Sequence, residues 1–173
     1  MSLLHIVTVA ENNPILRRRA PKVSRVDDSI RCLLDDMMET MIAAPGVGLA
    51  GPQVDVSLRV ATIKVDNQVF HLANLEIIRS EGEQIGYEGC LSIPGMRGEV
   101  ARAEKVVCKA LNRHGKQVRI KGTGLLARAL QHEIDHLDGI LIPDRLTDPS
   151  TWRRVEETAY EEVSNVEGEG ATA

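Results

Sequence analysis

The stretch QHEIDHLDG, residues 131–139, constrains this chain more than any other, because it sets His132 and His136 four positions apart. On an α-helix, positions i and i+4 lie one turn apart on the same side. Two imidazoles placed in this way can share one metal ion, and Glu133 between them can act as a base for water on that metal. The alternative is an ordinary amphipathic helix that carries two histidines.

The apolar residues of the same segment favour the metal interpretation. The sequence predicts a helix over about 123–138 that ends at Gly139 in a left-handed cap. At about 100° per residue, the apolar stripe lies roughly opposite the histidines. It consists of Leu126, Leu130, Ile134 and Leu137. The histidines share their own side with Leu125 and Ala129, so the buried stripe forms without them.

Bulk properties limit the class of protein. A chain of 173 residues fits one globular domain with a sizeable core. The formal net charge is −4 and aromatic residues make up 2% of the chain, which excludes a basic nucleic-acid footprint and a stacking surface for bases. The sequence lacks a signal-peptide pattern and an apolar run of membrane-spanning length, and it has three cysteines. We therefore expect a cytoplasmic protein with reduced thiols and no membrane partner.

The remaining pattern predicts an α+β fold. Apolar residues at helical spacing predict a long helix over about 25–43 with Ser24 as its N-cap. Further predicted elements are strand pairs over 58–65 and 68–78 and over 100–111 and 116–122, and a last helix over about 149–164. We expect antiparallel β-sheets packed around a central metal-binding helix, with a long N-terminal helix and a C-terminal helix. One catalytic domain would span residues 1–165, followed by a flexible acidic tail at 166–173.

A catalytic metal site needs a third protein ligand and an open position. Cys90 is one candidate, in YEGCLSIPG at 87–95; the others are scattered acids and the histidines His5, His71 and His114. A thiolate on a metal would be stable at Cys90. Without the histidine helix, a free buried cysteine would be the preferred interpretation.

A glycine-rich loop, PGVGLAGPQ at 45–53, allows the backbone to approach a ligand closely. It is not a dinucleotide fingerprint, because it follows a helix, and it lacks the Gly-Lys-Ser/Thr ending of a phosphate loop. The amide of Gln53 is able to donate an N–H to a developing oxyanion. Taken alone, Gln53 reads as a surface amide.

Three motifs occur along the chain in the order GVGLAGPQ (46–53), EGCLS (88–92) and QHEIDHL (131–137). Together they resemble the three signature motifs of the peptide deformylase family. The resemblance extends over about residues 3–147. It implies a metal-dependent hydrolase that removes the formyl group from the N-terminal formyl-methionine of newly made polypeptides, giving formate and a free amine. It further implies that Cys90, His132 and His136 bind one divalent metal ion, ferrous iron by preference, with zinc or nickel able to occupy the site.

The resemblance also implies roles in catalysis and substrate binding. Glu133 would be the general base and acid, and Gln53 and the backbone N–H of Leu91 would hold the oxyanion. The backbone around Gly48 and Gly89 would pair with the peptide as an added strand. From their place on the helix, we expect the side chains on the ligand side, Leu125 and Ala129, to contact the methionine side chain.

Five more residues carry expectations of their own. Arg97 and Tyr87 flank the cysteine segment and are expected to touch the peptide backbone. Asp135 either orients a histidine or forms an ion pair with an arginine such as Arg102. Gly51 stands where the family usually has alanine, and we expect a looser loop around Gln53. Leu75 stands where proline is common, and we expect a local backbone effect only.

Two other functions remain open from the sequence. One is a different metal-dependent amidase or peptidase built on the same helix, and the other is a non-catalytic protein with a structural metal site. A ribosome contact through a basic C-terminal helix is a property of some family members. The predicted last helix here is acidic, which leaves at most a weak ribosome contact.

Overall fold

A computed structural model of the chain describes residues 2–155 and 171–172. Within these residues the chain forms two α-helices, α1 (Asp28–Ala43) and α2 (Gly124–Leu137). The strands are β1 (Gly48–Ala50), β2 (Val60–Val65), β3 (Gln68–Glu81), β4 (Gln84–Cys90), β5 (Ile93–Arg102), β6 (Lys105–Leu111), β7 (Gln117–Thr123), β8 (Arg153–Arg154) and β9 (Ala171–Thr172). The predicted α+β class is confirmed, and the first predicted strand pair is present as β2 and β3. The second is present as β6 and β7, but the strand predicted over 100–111 is divided, because residues 100–102 belong to β5 in the other sheet.

The strands form two sheets. The larger sheet has the order β1-β2-β3-β6-β7 with every neighbouring pair antiparallel. The smaller sheet has the order β8-β5-β4-β9, in which only the β4–β9 pair is parallel. Strand β1 is therefore an edge strand of the larger sheet, and β4 carries the ligand segment in the smaller one.

The two α-helices pack on opposite faces of the larger sheet at β2. Thr62 faces α1, because its hydroxyl lies 3.9 Å from the sulfur of Met41. The next residue, Ile63, points to the other face, since side chains alternate along a strand, and it shares a core cluster with Leu130 of α2. This arrangement presses α2 against the sheet along its predicted apolar stripe, all of which is buried.

The helix ends follow capping chemistry. The N-cap of α1 is Asp27, whose carboxylate accepts a hydrogen bond from the backbone N–H of Ile30 at 3.0 Å. The prediction of Ser24 is wrong by three residues. Gly139, just past α2, has φ of 76°, so the left-handed cap predicted there is confirmed.

The C-terminal region differs from the expectation where it is described. Residues 149–155, at the start of the predicted last helix, form a 3-10 turn (Pro149–Thr151) and strand β8. Proline at the first position of the turn and the pairing of Arg153 with Arg97 on β5 favour this conformation. The rest of that predicted helix lies outside the described residues. No helix among the described residues is long and apolar enough to cross a membrane.

Candidate metal centre

Three buried donors meet between β4 and α2. Cys90 is the last residue of β4, and His132 and His136 lie on α2. Their ligand atoms all lie within 4.8 Å of one another, and no more than 4% of any of the three residues is exposed. Nε2 of His136 is 3.0 Å from Nε2 of His132 and 3.2 Å from Sγ of Cys90. The structure therefore brings Cys90 to the histidine pair.

The other candidate ligands lie elsewhere. His5 pairs with Glu11 on the surface, and His71 faces Asp35 at 3.6 Å. Among the described residues, the cluster that can hold a metal contains three donors and not four. This is the donor count of a catalytic site, which keeps a position free for water or substrate.

The protonation of the donors suits a metal. The Nδ1–H of His132 donates to Glu88 at 2.7 Å, which leaves the lone pair on Nε2 facing the cluster. Burial, together with the nearby His132 and Arg102, lowers the pKa of His136 well below its usual value and keeps this ring neutral. Burial raises the pKa of the Cys90 thiol to about 12, so the thiol needs a cation to ionise at neutral pH. The donor set therefore fits a divalent ion such as iron or zinc.

A buried charge network lies behind His132. Glu88 accepts two hydrogen bonds from Arg102, at 2.8 and 2.9 Å, and one from Arg128. Arg102 in turn donates to Asp135 at 2.6 Å. Burial alone would raise the pKa of Glu88, but its hydrogen bonds from Arg102 and His132 outweigh burial and hold the pKa well below the usual range. Glu88 thus remains charged and fixes the orientation of His132.

This network settles the two interpretations of Asp135. Its carboxylate pairs with Arg102 and, at 3.0 Å, with Arg145, while the histidine is oriented by Glu88. The sequence interpretation missed Glu88 and Arg128 as site residues. The available signal for Glu88 was a charged residue two positions before Cys90 in the same short motif.

Glu133 is the most unusual group in the site. It is fully buried, and neither carboxylate oxygen has a hydrogen-bond partner among the described residues. Burial, reinforced by the charge of Glu88, raises its pKa well above the usual value for a carboxyl. A Cβ added to Gly48 would lie 2.3 Å from Oε1, so the carboxyl abuts the edge strand β1. A buried carboxyl without a partner calls for a functional explanation.

Gln53 is buried in the site and is not a surface amide. It lies in the 3-10 turn Gly51–Val54, where its Oε1 accepts a hydrogen bond from the backbone N–H of Ala50 at 3.0 Å. This leaves Nε2 as a donor pointing inward, 3.1 Å from Oγ of Ser92 and 3.6 Å from Sγ of Cys90. The side-chain amide is thus held beside the ligand cluster with its N–H groups toward it.

The looser loop expected at Gly51 stays a prediction, but the glycine has a packing role in this turn. A Cβ at Gly51 would meet the backbone oxygens of Leu58 at 2.7 Å and of Val56 at 2.9 Å. The glycine permits a close approach of two backbone segments that an alanine would force apart. Leu75, the other departure, is fully buried beside Asn74, which has φ of 55° in an irregular part of β3.

The predicted substrate contacts lie on both sides of the centre. Gly48 is in edge strand β1, and Gly89 is in β4 directly before Cys90. Arg97 is opposite Gly89 on β5, and its guanidinium donates to the backbone oxygen of Tyr87 at 3.5 Å. Leu91 follows Cys90 and is partly buried. On α2, Ala129 is fully buried in the core, and Leu125 is partly buried against the same cluster.

The chain is similar to known proteins in both sequence and fold. The chain matches the family described as Polypeptide deformylase over residues 3–152. A peptide deformylase of Acetivibrio thermocellus is 55% identical over 136 residues, covering 79% of this chain and 80% of the relative. One of Symbiobacterium thermophilum is 52% identical over 165 residues, covering 94% of this chain and 74% of the relative. The crystal structure of peptide deformylase from Thermotoga maritima superposes with a TM-score of 0.82 at 36% identity, covering 86% of this chain and 100% of that one.

Proposed function

The chain belongs to the peptide deformylase family, and we propose that its Cys90–His132–His136 centre hydrolyses the formyl group from the N-terminal formyl-methionine of newly made polypeptides. The products are formate and a free α-amine. The observation that carries this proposal is the buried, unpartnered carboxyl of Glu133 beside a cluster of three metal donors. A structural metal site does not need a buried carboxyl beside its ligands, and its metal would be bound by four protein ligands.

Cys90, His132 and His136 would hold the metal. When bound, a divalent cation at these donors lowers the pKa of water towards about 7 and polarises the formyl carbonyl. We propose ferrous iron as the natural metal, since a thiolate with two imidazoles suits iron as well as zinc. Zinc or nickel would occupy the same donors. Metal analysis of protein purified without oxygen tests this assignment.

Glu133 would move the proton. A carboxylate oxygen takes the proton of the attacking water and later delivers it to the departing amine nitrogen. The raised pKa of Glu133 suits the first step, because it makes the carboxylate a stronger base for the water proton than an exposed carboxylate is. Its position against Gly48 places it at the edge of β1, where the substrate would enter.

Gln53 and Leu91 would stabilise the charge that develops on the formyl oxygen. The Gln53 amide has its Oε1 held by Ala50, so its N–H groups are fixed as donors beside Cys90 before the substrate arrives. Fixed donors of this kind need no reorganisation during the reaction, which is the source of their catalytic effect. The backbone N–H of Leu91 is the second proposed donor.

The peptide would bind as an added strand between β1 and β4. Strand β1 is an edge strand, and its backbone at Gly48 lies against Glu133. Gly89 on β4 would supply the second set of backbone hydrogen bonds. We further propose that Leu125 and Ala129 contact the methionine side chain, and that Arg97 touches the peptide backbone.

We place this reaction in the cytoplasm, where formylated chains emerge from the ribosome, with one catalytic domain over residues 1–165 and at most a weak ribosome contact. The acidic residues that argue against a strong contact, from Glu156 to Glu162, lie outside the described residues. Cosedimentation with ribosomes at low and high salt would measure this contact.

The experiment that tests the function measures formate release from formyl-Met-Ala-Ser, with unformylated Met-Ala-Ser as a probe of cleavage at internal peptide bonds. We expect formate from the first peptide and no cleavage of the second. Glu133→Gln should lower kcat by about 100-fold or more, a typical loss for a general base, with the metal content unchanged. Activity that survives this substitution, or internal cleavage, would refute the proposed function.

A further inference from the structure

The edge of β4 next to the metal ligands already carries a strand from this chain. Ala171 and Thr172, which form β9, pair in parallel with Glu88 and Gly89 of β4. The next residue of β4 is Cys90. The segment from the far end of the sequence therefore makes backbone pairs directly beside the ligand cluster.

This is the edge that the substrate needs. The proposed function has the formyl-peptide bind to the backbone at Gly89, and the inference below rests on that proposal. The other edge of β4 is taken by β5, which pairs with it from Gln84 to Cys90. Each backbone N–H and C=O of β4 that points to the free edge can pair with one strand at a time. The peptide and β9 thus require the same hydrogen-bonding groups.

We propose that the segment containing Ala171–Thr172 is an internal competitor of the formyl-peptide, which must leave the edge of β4 before the substrate pairs with Gly89. Strand β9 would therefore inhibit the enzyme most strongly with substrates that bind β4 weakly. Longer peptides, which form more backbone pairs along β1 and β4, displace it more readily.

The length of the connecting chain permits this competition. Strand β8 is fixed on β5, and the N–H of Val155 donates to the backbone oxygen of Gly95 at 2.7 Å. In the sequence, fifteen residues separate Val155 from Ala171, and a chain of that length spans up to about 50 Å when extended.

The short pairing makes the competition reversible. Two residues of β9 pair with two of β4, whereas β5 pairs with β4 along seven registered positions. Removing β9 should therefore lower KM by a modest factor. It should leave kcat unchanged, since the metal donors, Glu133 and Gln53 all lie outside β9. We expect KM for formyl-Met-Ala-Ser to fall at least threefold.

The test uses the full-length metal-loaded enzyme with the double substitution Ala171→Pro/Thr172→Pro, which removes both backbone N–H donors and so abolishes strand pairing. The matched control is Ala171→Ser/Thr172→Ser, which retains both donors. A variant that lacks residues 166–173 removes β9 and provides a second way to free the edge of β4. We expect the lower KM in the proline and deletion variants and not in the serine variant.

Two further measurements separate this inference from the proposed function. A synthetic peptide of residues 167–173, EGEGATA, should inhibit the deletion variant competitively and the wild type more weakly. Calorimetric binding of the deformylated product Met-Ala-Ser, which needs no turnover, should be tighter in the proline variant than in the serine variant. Wild-type enzyme without formate release would refute the proposed function. Active enzyme with the same KM and the same product affinity in all variants would refute the competition alone.

Discussion

Replacing Glu88 with glutamine isolates the contribution of the buried charge behind the metal centre. The carboxylate accepts hydrogen bonds from Arg102, Arg128 and His132 and is fully buried. Glutamine keeps the size of the side chain but removes the charge and turns one acceptor into a donor. Two guanidinium groups would then lose their shared counter-ion inside the protein.

The structure sets the size of the effect. Removing one partner of a buried ion pair typically costs about 3–5 kcal/mol, because the remaining charge stays buried. Arg102 retains Asp135 at 2.6 Å, whereas the one partner that Arg128 retains among the described residues is the backbone oxygen of Val100 at 3.2 Å. We therefore expect the free energy of unfolding of the metal-free protein to fall by about 3 kcal/mol, the lower end of that range. His132 also loses the acceptor that fixes its tautomer, which lowers metal affinity by about 10- to 100-fold.

Urea unfolding of the metal-free protein and chelator competition measure these two quantities. Glu76→Gln is the matched control, since Glu76 pairs with Lys22 and Lys109 at 3.4 Å on the surface. Such an exposed pair is worth at most about 1 kcal/mol, and its loss should leave metal affinity unchanged. If Glu88→Gln behaves like Glu76→Gln in both measurements, the role assigned to the buried network is wrong.

The same variant should change the pH dependence of stability. The folded pKa of Glu88 is depressed, so its contribution is fully present above the ordinary carboxyl pKa of 4.5 and is lost as pH falls below it towards the folded pKa. The unfolded chain binds the extra proton in that range. Wild-type stability should therefore decrease more steeply below pH 4.5 than the stability of Glu88→Gln.

Three further predictions concern the donors and the glycines. Metal binding at pH 7.5 should release one proton from Cys90, because its thiol pKa is about 12 without metal. Calorimetry in buffers of different ionisation enthalpy measures the number of protons released, and Cys90→Ser should release about one proton fewer. Gly51→Ala should destabilise the protein by about 1–3 kcal/mol in urea unfolding, because the added methyl meets two backbone oxygens. Gly48→Ala should lower kcat by about tenfold or more with metal content retained, because its methyl displaces the Glu133 carboxyl, and misplacing a reacting group by about 1 Å has large effects on rate.

The sequence predicted those parts of the site that follow from local periodicity. The i, i+4 spacing of His132 and His136 fixes their common side once a helix forms, and the opposite apolar stripe fixes which side packs on the sheet. Gly139 marked the end of the same helix through its left-handed conformation. These features depend on residues within one element, where the geometry of an α-helix leaves little freedom.

The charge network was beyond such reasoning because it depends on the register between β4 and β5, which periodicity within one element does not set. Glu88 meets Arg102 only because β4 and β5 pair in a register that sets Gln84 opposite Arg102 and Glu88 opposite Gly98. Neither strand shows a simple alternation of apolar and polar residues, since buried charges and glycines occupy inward positions. The same limit applies to the N-cap of α1, since Ser24 and Asp27 are both good capping residues. The backbone N–H of Val23, next to Ser24, donates to the side chain of Asn74 on β3, and the helix is capped by Asp27.

The position of the buried charges also explains why this site retains them. An apolar set of similar volume would give the fold as much stability as a buried ion-pair network, or more. It would not hold the Nδ1–H of His132 or keep its Nε2 lone pair on the side of Cys90. The chain from Arg145 through Asp135, Arg102 and Glu88 to His132 is continuous, and each link is a charged hydrogen bond. We infer that the network fixes ligand geometry at the expense of stability, which is why substitutions along it should affect metal affinity before they affect the proton transfer by Glu133.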